Sequence, residues 1–405
     1  MNFILFDDYC HFDLLPLTYT RAVADLRVGI LTLREKWERC LPQKTSMGIL
    51  TADYLHAKYE MPAPGDNCYI NAALLPTQAL ATSIGSMPRQ SALVAGDTIV
   101  AFRLNGPIPD FAQLSRHAAP LQVITQWQQI NIQQLDINDM PIQRLRHWWD
   151  IFTLNETAIN SDFVLLTQGR TSQPLSGSNI LIGSANNLFV EAGASIEAAI
   201  LNTNAGPVYI GRDAEIMEGA SVRGPFALCE HAALKMGAKI YGATTIGPYS
   251  KVGGEVSNSV ILGYSNKAHD GFMGNSVIGE WCNWGADSNN SNLKNNYGTV
   301  QVWSCHEQRY INTGRQFCGM VMGDHAKCGI NTMFNTGTVA GVCANIFGGG
   351  FPPKYIPSFA WGGGTEWAVY ELEKAMQTAE RVYARRQIAW TEADSRIFAY
   401  IFGLR

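Results

Sequence analysis

A six-residue period runs through the second half of this 405-residue chain and restricts its fold more than any other feature. Counted in sixes from Ile210, the positions read Ile210, Ile216, Val222, Leu228, Leu234, Ile240, Ile246 and Val252. If roughly one residue in four is Ile, Leu or Val, eight consecutive hits have a chance probability on the order of 10⁻⁵. Four residues after most of them stands a small side chain: Ala214, Ala220, Ala232, Ala238, Thr244 and Ser250, with Phe226 among the exceptions. Neither the 3.6 spacing of a helix nor the alternation of a half-buried strand gives this pattern. A triangular solenoid does. Each hexapeptide makes one short strand and one corner, the aliphatic residue points inward onto the coils above and below, and three hexapeptides close a coil of about 18 residues.

The pattern starts at Val190 and Ile196 after a lead-in near Ile182. It continues through Phe272, Ile278 and Trp284 and ends with Met322, Cys328, Phe334, Ala340 and Ile346. Two intervals break it: Val252 to Phe272 is 20 residues and Trp284 to Met322 is 38, each two beyond a multiple of six. Each is expected to extrude a loop, one near 264–271 that carries His269 and one near 287–318 that is rich in Asn. Loops leaving a rigid scaffold are where binding groups concentrate. His231 and His325 lie three residues past inward positions and are expected at exposed corners.

The expected organisation is an α/β domain with a helical linker over 1–165, a solenoid over 175–350 and a helical cap over 351–405. Phe3–Phe6 reads as a buried strand ending at Asp7-Asp8, Ile30 to Leu41 has helical spacing, and Cys68–Ile70 and Ala92–Ala95 read as further strands. A Trp-rich helical stretch, Arg144 to Leu154, leads toward the solenoid. After Gly350, the positions Leu372, Met376, Ala379 and Tyr383 mark one face of a helix, and Thr391 with Asp394 starts another.

Composition narrows the function classes. A chain 46% hydrophobic and 16% charged can bury a core, which excludes wholesale disorder. With 30 Lys+Arg against 34 Asp+Glu, a net charge of −4, nucleic acid is not an expected partner. No run approaches the roughly 18 apolar residues of a membrane span. The N-terminus MNFILFDDYCHFD meets acidic residues too early for a secretory signal. Nine cysteines without a Cys-x-x-Cys pair argue against a disulfide framework or zinc ribbon. A cytoplasmic location is expected.

Residues 205–365 resemble the hexapeptide acyltransferases with a left-handed parallel β-helix, an exception to the right-handed crossover rule. Among them the likeness is to the bifunctional N-acetylglucosamine-1-phosphate uridylyltransferase/glucosamine-1-phosphate acetyltransferase family, and over the whole chain to its Bacteroidetes-type variant. It is densest in Ser265-Asn-Lys-Ala-His269-Asp-Gly-Phe272-Met-Gly, Ile278-Gly-Glu-Trp-Cys-Asn283-Trp-Gly-Ala286-Asp and Asn292-Leu-Lys294. The resemblance implies a catalytic role for His269, substrate contacts by Asn283 and Asn292, and acetyl-coenzyme A held at the Ala286 backbone. Phe272 stands where the family often has a tyrosine, and Asp287 replaces a glycine. The chemistry asks for an imidazole: an amine must lose a proton before it attacks a thioester, and a His near neutrality is a suitable base. An acceptor phosphate calls for cations, and Lys239, Lys251, Lys267 and Lys294 lie in or near these coils. The implied reaction is acetyl transfer to an amino-sugar phosphate, with UDP-N-acetylglucosamine-type nucleotide-sugar synthesis as its setting. The implied assembly is a homotrimer with coenzyme A between subunits.

The front half resembles sugar nucleotidyltransferases through Leu14-Leu-Pro-Leu-Thr18-Tyr-Thr-Arg21, which implies transfer from a nucleoside triphosphate with Mg²⁺. Asp7 to Asp13 stands where that family has its Gly-rich phosphate loop, and Val23 replaces a lysine. Arg21 and Arg27 are candidates for substitute charge, and Asp97 of Gly96-Asp97 for the family's carboxylate. Two rival readings are a non-catalytic trimerising or regulatory solenoid and a zinc-dependent hydratase of the carbonic anhydrase type. The latter needs three converging histidines, and this chain has no His-x₄-His pair.

Overall fold

The computed structural model describes residues 1–41, 47–59, 63–107, 109–115, 130–134, 141–364 and 367–405. The chain divides into two compact units. The first comprises Met1–Leu14, Thr20–Leu26 and Leu31–His147, and the second Leu15–Tyr19, Arg27–Ile30 and Trp148–Arg405.

The first unit is an α/β domain around a six-stranded sheet. Its strands are β1 (Asn2–Phe6), β2 (Met47–Leu50), β3 (Gly65–Asn71), β4 (Ser91–Ala95), β5 (Thr98–Gly106) and β6 (Asn131–Gln134), in the order β2-β1-β3-β5-β4-β6. β1 pairs in parallel with both β2 and β3. A central parallel strand is covered on both faces, which is why Phe3–Phe6 is uninterrupted apolar sequence, each residue at most 1% exposed. Helix Leu33–Cys40 starts at a capping box formed by Thr32 and Glu35.

The second unit is a left-handed parallel β-helix of about 10 turns, with helices at its C-terminal end. Its first wall runs from Leu188–Val190 to Tyr355–Ile356 and holds nine strands. The second wall includes Ser195–Ile196 through Asn266–Lys267, and the third Ile180–Ile182 through Phe272–Gly274. All eight aliphatic positions from Ile210 to Val252 point into one core and are 0–2% exposed. Tight corners set the small residues of the second pattern: Ala214, Ala220, Ala232 and Ala238 are each 0–1% exposed.

The interval after Val252 differs from the expected extrusion. Val256 follows Val252 as the next inward residue, paired with Ile240, so the coil loses residues at the Gly253-Gly254 corner. Lys267 then lies beside Val252, 15 residues on, and Met273 beside Val256, 17 residues on, so neither turn reaches the 18 of the earlier coils. The 264–271 segment overhangs because the corner beneath it is short. Phe272 is consequently half-exposed and Met273 takes the inward position. The later interval is a true insertion at the corner between third and first walls, and it contains a hairpin of Gln301–Ser304 with Arg309–Asn312.

Helix Trp148–Thr167 begins later than Arg144, because Arg144 pairs with Asp8 in the first unit. It packs on the first wall through Ile159 and Phe163 against Phe189, Tyr209 and Ala243. Helices Leu372–Ala384 and Glu392–Gly403 lie along the corner between first and second walls. At that corner His231, Tyr249, Tyr264, Trp281, His325, Cys343 and Phe359 adopt φ between 52° and 62° and follow one another as rungs. The rings among them form a ladder with centroids 4.7 Å apart for His231–Tyr249, 5.1 Å for Tyr249–Tyr264 and 4.2 Å for Tyr264–Trp281. Tyr383 stacks on Trp281 at 4.4 Å. His231 is exposed as expected. His325 is not: it is only 4% exposed, because Tyr383, Trp390 and Phe398 of the C-terminal segment close over it. Among the described residues, no helix is long and apolar enough to cross a membrane.

Candidate functional site

The corner between second and third walls carries His269. Successive coils place Gly254, Asp270-Gly271 and Ala286-Asp287 there, and the Asp287 N–H donates to the Asp270 carbonyl at 3.1 Å. Gly271, at φ +112°, is required: a Cβ would lie 2.1 Å from the Ser288 carbonyl oxygen. The result is an open cleft of about 440 Å³ lined by Met236, Ala268, His269, Asp270, Ala286 and Asp287. His269 is exposed. The Ala286 carbonyl accepts from Asn331 at 2.9 Å, while its N–H has no hydrogen-bond acceptor among the described residues. An imidazole, an available backbone donor and two carboxylates therefore share one small space. That set can take a proton from a cationic amine and stabilise an oxyanion.

Lys267 holds this corner from beneath. It occupies an inward position where other coils have an aliphatic residue, and it is 2% exposed. Its Nζ donates to the carbonyls of Gly253 at 2.9 Å, His269 at 2.8 Å and Asp270 at 3.5 Å. Burial pushes its pKa down from the ordinary 10.5 to about 8. The expectation that Lys267 meets a substrate phosphate is thereby corrected: its ammonium is spent on carbonyls inside the solenoid.

The other residues expected at one site lie apart within this chain. Asn283 and Lys251 line a recess of about 360 Å³ beside the aromatic corner, with Trp281, Lys327, Arg385 and Arg386. There Asn283 Oδ1 accepts from Asn266 Nδ2 at 3.0 Å. Asn292 lines a third depression, of about 660 Å³, with Phe272, Tyr241 and Asn275, and donates to Asn275 Oδ1 at 2.8 Å. Lys239 stands exposed on the third wall in register with Glu255. Lys294 donates to the Thr299 carbonyl at 3.2 Å within the insertion. The hexapeptide pattern identifies the His269 corner but gives no sign of Arg385 or Arg386, which follow the Leu372–Ala384 helix outside the repeat.

In the first unit the parallel strands end in carboxylates already satisfied by protein. Asp7 accepts from His11 Nδ1 at 2.9 Å, Thr51 Oγ1 at 2.6 Å and the Val23 N–H at 3.1 Å. Asp8 accepts from the Cys10 N–H at 2.9 Å, Asn71 Nδ2 at 2.8 Å and Arg144 Nη2 at 3.2 Å. Backbone donors that a glycine loop would offer to phosphate here bind the chain's own carboxylates. Arg27 is corrected as a nucleotide ligand: it belongs to the second unit, where Nε donates to Leu262 O at 3.2 Å and Nη1 to Ile30 O. Arg21 is 4% exposed. Asp97 is exposed at the β4–β5 turn and accepts from Thr98 Oγ1 at 3.3 Å. Among the described residues no group of three or more His, Cys, Asp or Glu side chains is placed to hold a metal ion.

Residues 3–171 match the family model described as sugar nucleotidyl transferase. A bifunctional sugar-1-phosphate nucleotidylyltransferase/acetyltransferase of Sulfurisphaera tokodaii is 32% identical over 146 residues, 36% of this chain and 36% of that protein. The match thus spans little more than a third of that relative's length. Among solved structures, the polySia-specific acetyltransferase NeuO is similar over 52% of this chain and 94% of its own, with 12% identity and a TM-score of 0.25. The UDP-N-acetylglucosamine acyltransferase from Campylobacter jejuni is similar over 56% and 96%, with 12% identity and a TM-score of 0.17.

Proposed function

We propose that the solenoid transfers an acetyl group from acetyl-coenzyme A to the amine of an amino-sugar phosphate, with His269 as general base. One observation carries this reading: His269 and the Ala286 backbone, which lie on different coils, line the same exposed cleft. The cleft's carboxylates, Asp270 and Asp287, attract a protonated amine, and His269 removes a proton to free the nitrogen lone pair. The nitrogen then bonds to the thioester carbon. The Ala286 N–H donates to the developing oxyanion. Collapse breaks the C–S bond, the nitrogen loses its second proton to solvent, and the leaving thiolate takes the proton that His269 holds. Acting in the cytoplasm as a homotrimer, the chain would build its donor site from neighbouring copies, which accounts for Asn283 and Asn292 lying apart from His269 in one protomer.

The test is coenzyme A release across a panel of amino-sugar phosphates. His269→Ala is expected to lower kcat by about 10²–10⁴-fold, the usual contribution of a general base. Unchanged turnover in that variant overturns the assignment and favours a purely structural solenoid.

For the front domain, the family match over residues 3–171 supports sugar-1-phosphate nucleotidyl transfer. The engaged carboxylates Asp7 and Asp8 favour a second reading, a nucleotidyltransferase-like domain that no longer transfers. Pyrophosphate release from nucleoside triphosphates with added Mg²⁺ separates the two: release abolished by Asp97→Ala supports transfer, and no release with any triphosphate supports the second reading.

A further inference from the structure

The recess beside the aromatic corner is chemically unlike the His269 cleft. The second wall contributes Lys251 and Lys327, the end of the Leu372–Ala384 helix contributes Arg385 and Arg386, and no carboxylate lines it. Arg386 is fixed, with Nη2 donating to the Tyr249 carbonyl at 3.0 Å and the guanidinium 5.6 Å from the centre of the Tyr249 ring. Lys327 donates to the His325 carbonyl at 2.8 Å, and burial pushes its pKa below the ordinary value, so an anion beside it would favour the charged form.

Cations at a helix C-terminus offset the helix dipole, and that alone could account for the two arginines. It does not account for two lysines on a separate wall facing them. Four cations around about 360 Å³, in a chain of net charge −4, repel one another until an anion enters. The aromatic floor is not a stacking platform, because Trp281 has Tyr264 at 4.2 Å and Tyr383 at 4.4 Å. Recognition here is by charge and by the guanidinium fork, whose geometry matches phosphate oxygens.

We propose that this recess binds the diphosphate group of a phosphorylated ligand, held by Arg385 and Arg386 from the helix and Lys251 and Lys327 from the wall. The assignment stands on the recess alone, and binding of pyrophosphate or ADP carries it even where His269→Ala leaves coenzyme A release unchanged. A diphosphate occurs in free nucleoside diphosphates and also within coenzyme A, so the experiment separates the sources.

Calorimetric titrations of the full chain with pyrophosphate, ADP and coenzyme A are compared with those of the double variant Lys251→Ala/Arg385→Ala. Both side chains are exposed, so the variant is expected to keep the unliganded melting temperature. At least one of the three ligands is expected to bind, with affinity at least tenfold weaker in the variant and falling with added salt. Pyrophosphate or ADP binding places a free diphosphate in the recess, whereas binding of coenzyme A alone places the diphosphate of the acyl carrier there. Equal affinity in wild type and variant, binding of acetate as tight as that of pyrophosphate, or no binding by any of the three overturns the proposal.

Discussion

Lys267 shows how much one residue can hide inside a repeat. At an inward position the period asks for an aliphatic side chain, yet the chain has an ammonium whose burial would be costly without three carbonyl acceptors. Its pKa falls from 10.5 to about 8 on folding through desolvation. Between those values the unfolded chain holds a proton that the folded chain has lost, so stability from this group rises with pH across the window, and below about 8 the buried charge is a full penalty. Lys267→Met removes the titration. The stability gap between wild type and variant, measured by urea unfolding, is therefore expected to move in favour of wild type by about 2 kcal/mol between pH 7 and pH 10. A gap that does not vary with pH would mean that the ammonium reaches water. The same residue marks a limit of sequence reading: its charge and its place among these coils suggested a phosphate ligand, and only the register with Val252 shows that it faces inward.

At the scale of elements, the solenoid was legible because its period is set by local geometry that every coil repeats. The eight positions from Ile210 to Val252 needed no tertiary information. What escaped was phase. An interval two residues beyond a multiple of six reads equally as an inserted loop or as a run of shortened corners, and the Gly253-Gly254 corner with the one before Ile261 is the latter. The covering of His325 also escaped, since a corner residue is exposed only until another element packs on it. Helix Trp148–Thr167 depends on a contact equally invisible in sequence. Asn155, fully buried, donates to the Ala243 carbonyl at 2.9 Å and accepts from the Gly29 N–H at 2.7 Å and Thr245 Oγ1 at 3.1 Å. Asn155→Ala strands those buried groups and is expected to cost about 2–4 kcal/mol in chemical denaturation. Asn160→Ala, on the exposed side of the same helix, is expected to stay within about 0.5 kcal/mol. Similar losses in both would show that the helix is not pinned through Asn155.

At the scale of the whole molecule, the His269 corner is also where apolar side chains face water. Met236 is 71% exposed, Ile330 72% and Phe347 43%, all at turns between second and third walls. A solenoid with a satisfied core has no reason to expose such residues repeatedly on one edge, and large exposed apolar patches commonly mark interfaces. A second copy suits the geometry: one protomer's edge set against another's wall is a head-to-tail contact, and three such contacts close a ring. The proposed trimer is then tested away from the cleft itself, since neither Ile330 nor Phe347 lines it. Sedimentation is expected to give three chain masses for the wild type and one for Ile330→Glu/Phe347→Glu. If coenzyme A lies between copies, the double variant is expected to lose coenzyme A release by at least tenfold while keeping its solenoid circular dichroism. A monomeric wild type would remove the trimer. A monomeric variant with full turnover would leave His269 working from a single chain, and Asn283 and Asn292 would then have no part in its reaction.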